Sequence, residues 1–247
     1  MTESVLPGSF LNEAIANTRK VQEEDSSDLL GFKTLVPTLL EKGIDNINLA
    51  MFNEETKLKL LNVLGEEYLR RGRLHESVKT FILANNKKRL SAIGDDYDKI
   101  GQTTNAIECY ELAEEKTKLF TLGRRCMEEG KYRDAIKSFS SLNHVQMLVQ
   151  VGEECLVRSK WDYALEVFKI LGDTQRLIKL GDSCMKERQL AYAFQAYEFA
   201  GDKGRLNQLG DYCLKDGLFS TALKAYTLAQ NTMMVEFIKQ NFGNGVR

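Results

Sequence analysis

The stretch that decides the fold is residues 90–113, LSAIGDDYDKIGQTTNAIECYELA, because its pattern returns every 29 residues along most of the chain. The dipeptide near its start recurs six times in register, as Leu64-Gly65, Ile93-Gly94, Leu122-Gly123, Val151-Gly152, Leu180-Gly181 and Leu209-Gly210. A fixed period of this length indicates a repeat architecture in which every copy forms one supersecondary unit.

Within each copy, the apolar positions have the spacing of two helices. Leu90, Ile93 and Tyr97 fall on one narrow face at about 100° per residue, and Ala106 and Tyr110 share a face of the next segment. Glycine inside a helix costs roughly 1 kcal/mol against alanine. Its recurrence predicts a close approach of the two helices, with the alanine face of the second helix opposite and the aromatic column filling the gap to the next repeat.

Turn and capping residues separate the predicted helices. Most copies have glycine in the turn inside the repeat, namely Gly72, Gly101, Gly130 and Gly217. Ser159 and Arg188 replace it in the other two copies, from which we predict that this turn does not require a positive φ. The predicted N-caps of the following helices are Asn86, Asp173, Asp202 and Asn231.

These motifs resemble the tetratricopeptide repeat: Leu90-x-x-Ile93-Gly94-x-x-Tyr97 is followed by Ala106-x-x-x-Tyr110. Leucine stands where that family has tryptophan, the final proline is missing, and the unit is shorter than the usual length of about 34 residues. The units are also similar to the helical-repeat arms of coatomer and intraflagellar-transport subunits. The resemblance implies an all-α, right-handed α-solenoid of helix–turn–helix repeats, whose first helices line a concave groove.

The predicted organisation is an array with different ends. Residues 1–33 are predicted to form an N-terminal amphipathic helix (9–21) and an acidic linker. Residues 34–63 form a degenerate first repeat or N-terminal cap, 64–237 six helix-pair repeats, and 238–247 the end of a C-terminal cap and a tail. The amphipathic helix either docks on its own solenoid or acts as a partner-binding or swapped arm.

Composition excludes several classes of protein. The chain has 247 residues, 34 Lys plus Arg, 35 Asp plus Glu and a net charge of −1, which disfavours a strongly basic nucleic-acid binder. No apolar run approaches the ~20 residues that span a bilayer, and the N-terminus shows no secretory signal. Five cysteines in such a chain predict reduced thiols and a cytoplasmic location.

No catalytic, cofactor-binding or metal-binding site is predicted. Equivalent cysteines in stacked repeats should be about 8–10 Å apart, too far for a disulfide or one zinc site. We therefore predict separate core thiols at Cys109, Cys126, Cys155, Cys184 and Cys213. His75 lies in a turn and His144 at a cap position, and no phosphate-loop or zinc-protease motif is present. The protein is predicted not to be an enzyme.

Three columns of the first helices leave the predicted core. One is acidic in five copies: Glu66, Asp95, Glu153, Asp182 and Asp211, with Arg124 in the sixth. The other two are apolar in the middle of the array: Phe120, Met127, Val149, Leu156, Ile178, Met185 and Leu214. The resemblance implies that these columns face the groove. Equally, tight packing of short repeats would bury them between successive first helices.

The functional prediction is a non-enzymatic scaffold or adaptor that binds a protein segment with apolar anchors and basic flanks. A carboxylate clamp is disfavoured, because lysines on this face are scattered. The alternative is a ribosome- or ribonucleoprotein-associated factor that uses basic patches at residues 70–73 and 87–89. No membrane partner is expected.

Overall fold

The computed structural model describes residues 35–242. The predicted helix at 9–21, the acidic linker and the tail beyond residue 242 lie outside the described residues. Within this range every regular element is helical, which confirms the all-α class. The helices follow one another as consecutive pairs, as a helical-repeat solenoid requires.

The first half of the array begins with α1 (Val36–Lys42) and a 3₁₀ helix (Ile44–Asn46). The next helices are α2 (Glu54–Arg70), α3 (Leu74–Leu83), α4 (Lys87–Lys99), α5 (Thr103–Ala113), α6 (Lys116–Glu128) and α7 (Tyr132–Ser141). They continue as α8 (Val145–Val157), α9 (Trp161–Leu171), α10 (Thr174–Lys186), α11 (Leu190–Ala200), α12 (Lys203–Lys215), α13 (Phe219–Leu228) and α14 (Thr232–Phe242). The even-numbered helices α2 to α12 are the first helices of the six repeats, and the odd-numbered helices α3 to α13 are the second helices.

The chain divides into two compact units, one up to Leu122 and one from Gly123. At the start of the first unit, α1 and the 3₁₀ helix bury Leu40 and Ile44 against Leu60 and Leu64 of α2. The region predicted as a degenerate repeat or cap thus has one short helix, and a single 3₁₀ turn follows where a full repeat has its second helix. In the second unit, α14 packs on α13, with Phe242 stacked on Phe219 at 4.2 Å between ring centroids.

The turn inside every repeat has a residue in the left-handed region. Gly72 has φ +73°, and Ser159 and Arg188 have φ +57° and +56°. The prediction that this turn does not require a positive φ is therefore wrong. The cause is the hydrogen bond that closes the helix: the N–H of Lys160 donates to the carbonyl of Cys155 at 2.8 Å, which only a left-handed residue before it allows.

The predicted N-caps are confirmed. The side chains of Asn86, Asp173, Asp202 and Asn231 each accept a hydrogen bond from the backbone N–H three residues later. His144 has the same role, because its Nδ1 accepts from the N–H of Met147 at 3.3 Å. These bonds satisfy donors that the start of a helix leaves unpaired.

The recurrent helix glycine makes room for the aromatic ring of its own repeat. A Cβ atom on Gly181 would lie 2.4 Å from Cε1 of Tyr197, and one on Gly152 would lie 2.5 Å from Cε1 of Phe168. The predicted close approach is present, and the small-residue column lies opposite, because Oγ of Ser77 donates to the carbonyl of Gly65 at 2.9 Å. The ring also reaches the next repeat, where Phe81 clusters with Leu90 and Ile93. What the prediction lacks is that the same ring covers the glycine of its own repeat. A flat ring over a bare backbone allows the two helices to pack at short distance.

Candidate binding surface

The apolar candidates on the first helices occupy an intermediate position between core and surface. Phe120 is half-buried and belongs to the first unit. The other six, which we call the first-helix strip, are half-buried on α6, α8, α10 and α12 of the second unit: Met127, Val149, Leu156, Ile178, Met185 and Leu214. The strip therefore offers apolar surface on four consecutive first helices.

One of the two columns of the strip, the one that contains Met127 and Leu156, is buried in the first repeat. Leu69 stands where the later repeats have Met127 and Leu156, and only 8% of its surface is exposed. It packs in a cluster with Phe81 and Leu90, so here the column is core between successive repeats. In the second unit the same column retains solvent contact.

The acidic column is engaged in ion pairs inside the array. Four of its five carboxylates reach a cation near the start of the next first helix: Glu66 with Arg89, Asp95 with Lys118, Glu153 with Arg176 and Asp182 with Arg205. The Nζ of Lys118 lies 2.6 Å from a carboxylate oxygen of Asp95, and the Nε of Arg176 lies 3.1 Å from that of Glu153. We call these four pairs the ion-pair ladder.

The ladder is interrupted at two places in the second unit, and the sequence changes in a consistent way at both. Where Arg124 replaces the acid, Met147 replaces the cation, and Arg124 pairs instead with Glu128 of its own helix at 3.3 Å. The second interruption is at Asp211, because the residue 23 positions later is Met234. Within the described residues, the next helix therefore supplies no cation to the carboxylate of Asp211.

Aspartate in this column is always accompanied by tyrosine on the second helix of the same repeat. The hydroxyls of Tyr110, Tyr197 and Tyr226 donate to Asp95, Asp182 and Asp211 at 2.9, 2.7 and 2.6 Å. Repeats with Glu66, Arg124 or Glu153 have phenylalanine instead: Phe81, Phe139 and Phe168. Burial, followed by the hydrogen bond to Asp182, raises the pKa of Tyr197 above its usual range. The hydroxyl is thus a protonated donor that fixes the carboxylate.

Asparagine pairs connect adjacent repeats near the beginning and near the end of the array. The side-chain amide of Asn86 donates to Asn62 at 2.7 Å, and that of Asn231 donates to Asn207 at 2.9 Å. Asn62 and Asn207 stand in the column of Val149 and Ile178. The side chains at these two ends of the column thus hydrogen-bond adjacent repeats to each other.

All five cysteines are buried and free, as predicted for core thiols. Burial raises the pKa of Cys155 and Cys184 to about 12 and that of Cys126 to about 11, so these thiols stay protonated at neutral pH. No group of three or more His, Cys, Asp or Glu side chains within residues 35–242 is placed to hold a metal ion.

Acidic side chains neutralise much of the two basic patches. Arg70 and Arg71 both pair with Glu67, and Arg73 pairs with Glu76 at 2.7 Å. In the second patch, Lys87 pairs with Glu114 at 2.6 Å and Arg89 pairs with Glu66. Neither patch presents a row of unpaired cations to a nucleic acid.

Two features of the surface are not predicted from the sequence. One is the cation column of the ladder, whose signal is a basic residue 23 positions after four of the five acids. The other is a row of apolar residues on the outer side of the second helices, each at least 40% exposed: Leu83, Leu112, Ile170, Phe199 and Leu228. Both recur at the repeat period and could have been found by aligning the six copies.

Comparison with known protein families and with curated proteins gives no match for this chain. Among the described residues, no helix combines the length and the apolar character that crossing a bilayer demands.

Proposed function

We propose that the protein is a non-enzymatic interaction scaffold that binds a segment of a partner protein along the first-helix strip of the second unit. The observation that carries the proposal is the half-buried state of six apolar side chains on four consecutive first helices. Exposed apolar surface arranged in a continuous row is typical of a binding site for an apolar segment. Methionines at Met127 and Met185 adapt to partners of different shape.

The resemblance to tetratricopeptide repeats supports the same proposal. In that family the first helices line a concave surface that holds extended or helical segments. We extend this arrangement to the second unit as part of the proposal. We also propose a reducing, cytoplasmic environment, because five buried free thiols are usual in such a compartment.

The ladder changes the expected chemistry of the partner. Glu153 and Asp182 are already neutralised by Arg176 and Arg205, so they are poor binding sites for basic flanks along the strip. Apolar anchors therefore supply most of the binding energy. The alternative, a ribonucleoprotein-associated factor, has less support because its basic patches are paired with acids.

The test replaces three members of one column together, Met127→Ser, Leu156→Ser and Met185→Ser. Partners captured from the native organism by the wild-type protein are quantified by mass spectrometry against this variant. The matched control replaces three exposed apolar residues elsewhere in the second unit, Val145→Ser, Val157→Ser and Ile170→Ser, which are 58%, 84% and 50% exposed.

We expect the strip variant, and not the control, to lose its partner. The proposal fails if both variants retain every partner. It also fails if the strip variant unfolds, because truncation of a fully buried Leu or Met costs about 2–5 kcal/mol, whereas surface changes cost about 0.5 kcal/mol or less. RNA binding that decreases with salt and survives in the strip variant would favour the ribonucleoprotein alternative.

A further inference from the structure

We infer that the first-helix strip recognises a segment with charges of opposite sign at its two ends, a basic residue at Asp211 and an acidic residue at Arg124. This inference rests on the proposed function and adds the direction in which the partner lies. It follows from the places where the ion-pair ladder is interrupted.

Asp211 is the one acid of its column without a cation from the following helix in the described range. Its partner position is Met234, and within residues 35–242 its side chain accepts one hydrogen bond, from the hydroxyl of Tyr226. Asp211 is exposed, so its charge is available to a ligand. Leu214, the last member of the strip, lies three residues further along the same helix and shares its face.

Arg124 is the counterpart at the other end of the strip. It stands in the acidic column, three residues before Met127, which is the first member of the strip. Its only ion pair in the described residues is with Glu128 at 3.3 Å, and the two side chains are 58% and 63% exposed. Exposed pairs of this kind are worth about 0.2–1 kcal/mol, so a carboxylate of a partner can compete for the guanidinium.

Between these ends the column carries no net charge. Glu153 is matched by Arg176, and Asp182 is matched by Arg205 and Tyr197. The strip is therefore apolar along its length, with the guanidinium of Arg124, paired to Glu128 of its own helix, at the α6 end and the carboxylate of Asp211 at the α12 end. Charge complementarity then disfavours a partner in the reversed direction, because like charges would meet at both ends.

The distance between the ends limits the partner sequence. Arg124 and Asp211 are three repeats apart, and a step of about 8–10 Å per repeat places them roughly 24–30 Å apart. An extended segment covers this distance with roughly 7–9 residues, and a helical one with roughly 16–20. We expect apolar residues between an acidic and a basic residue at one of these spacings.

The test selects binders from a displayed library of random 20-residue peptides on the full-length protein. Wild-type protein should enrich apolar peptides with an acidic and a basic residue at a fixed spacing. Asp211→Asn keeps an acceptor for Tyr226 and should remove the basic preference only. The double variant Arg124→Glu with Asp211→Lys should enrich peptides in which the two charges are exchanged.

A synthetic copy of the most enriched peptide then measures the size of the effect. Its Kd should rise about fivefold with Asp211→Asn, the upper end for an exposed ion pair. The matched control, Glu198→Gln on α11, removes one exposed carboxylate outside the strip and should leave the Kd unchanged.

Each outcome has a separate meaning. Enriched apolar peptides without a charge preference, or an unchanged preference in Asp211→Asn, would overturn the inference and leave the proposed function standing. If wild-type protein enriches nothing beyond what the Met127→Ser, Leu156→Ser, Met185→Ser variant enriches, the inference and the proposed function both fail.

Discussion

Two joints of the second unit use the same positions in opposite ways. At the joint between α10 and α12, Asp182 accepts from Tyr197 at 2.7 Å and pairs with Arg205 at 2.9 Å. At the joint between α6 and α8, those positions are Arg124, Phe139 and Met147, and Arg124 pairs with Glu128 of its own helix at 3.3 Å. The difference teaches that this joint replaces all three positions, so that no tyrosine hydroxyl is left without an acceptor and no cation without its counter-ion, either of which is costly at a half-buried joint.

The largest expected difference between the joints follows from Asp182→Ala. Removal of this carboxylate leaves the buried hydroxyl of Tyr197 without its acceptor and Arg205 without its counter-ion, which should cost about 2–4 kcal/mol. Arg124→Ala should cost about 0.5 kcal/mol or less. Urea denaturation of both variants measures the difference, and equal losses would show that the two joints do not differ in the way described.

Glycine-to-alanine changes probe how closely the two helices of a repeat pack at the glycine. In Gly181→Ala the new Cβ would meet the ring of Tyr197 at 2.4 Å, whereas in Gly123→Ala it would meet Oγ of Ser138 at 2.9 Å and Phe139 at 3.0 Å. We expect a loss of about 1–3 kcal/mol at Gly181 and a smaller loss at Gly123, where helix propensity offsets part of the strain. Thermal melting of the two variants should rank them in this order, and the reverse order would contradict the packing argument.

The hydroxyl of Tyr197 should produce a pH dependence that the joint with Phe139 lacks. Burial and the bond to Asp182 raise the pKa of Tyr197, so above about pH 10 the unfolded chain loses a proton that the folded chain keeps. Stability from this group is complete below pH 10 and falls as the pH rises beyond it. Tyr197→Phe should therefore cost about 1 kcal/mol at pH 7 and progressively less from pH 10 to 11. A constant cost over this range would exclude the assigned cause.

The smallest effect is expected from completing the ladder where it is interrupted. Arg124→Asp combined with Met147→Arg should create a pair like that of Asp182 with Arg205, with a coupling of about 0.2–1 kcal/mol. Each single change should be neutral or slightly destabilising. A double-mutant cycle in low salt measures the coupling, and its absence would show that these side chains do not reach each other.

Most of what the sequence predicts is local, and most of what it does not predict depends on the neighbouring repeat. Helix starts at Asn86 and Asp173 follow from residue type, because a cap acts within one turn. The positive φ of Ser159 was missed because the closing hydrogen bond, and not the side chain, imposes it.

The cation that pairs with each carboxylate of the ion-pair ladder is not predicted from the sequence, for a different reason. Arg176 reaches Glu153 only when the repeats are stacked in their final register, so the acidic column looks like a docking surface in the sequence. The half-buried state of the strip also depends on how far the repeats approach, which residue type alone does not determine.

The joint of Arg124 and Met147 has a consequence for how arrays of this kind grow and shrink by duplication. A copy that carries both ladder residues presents an acid to its successor and a cation to its predecessor, so such copies are compatible only with neighbours of opposite charge at these positions. Excision of residues 122–150, one period, would remove Arg124 and Met147 together. In the shortened chain, the pair of Asp95 with Lys118 would be followed directly by the pair of Glu153 with Arg176. The ion-pair ladder would then have no interruption between these two pairs. A gene for such an array can thus lose this copy, and regain it, without leaving a mismatched pair behind.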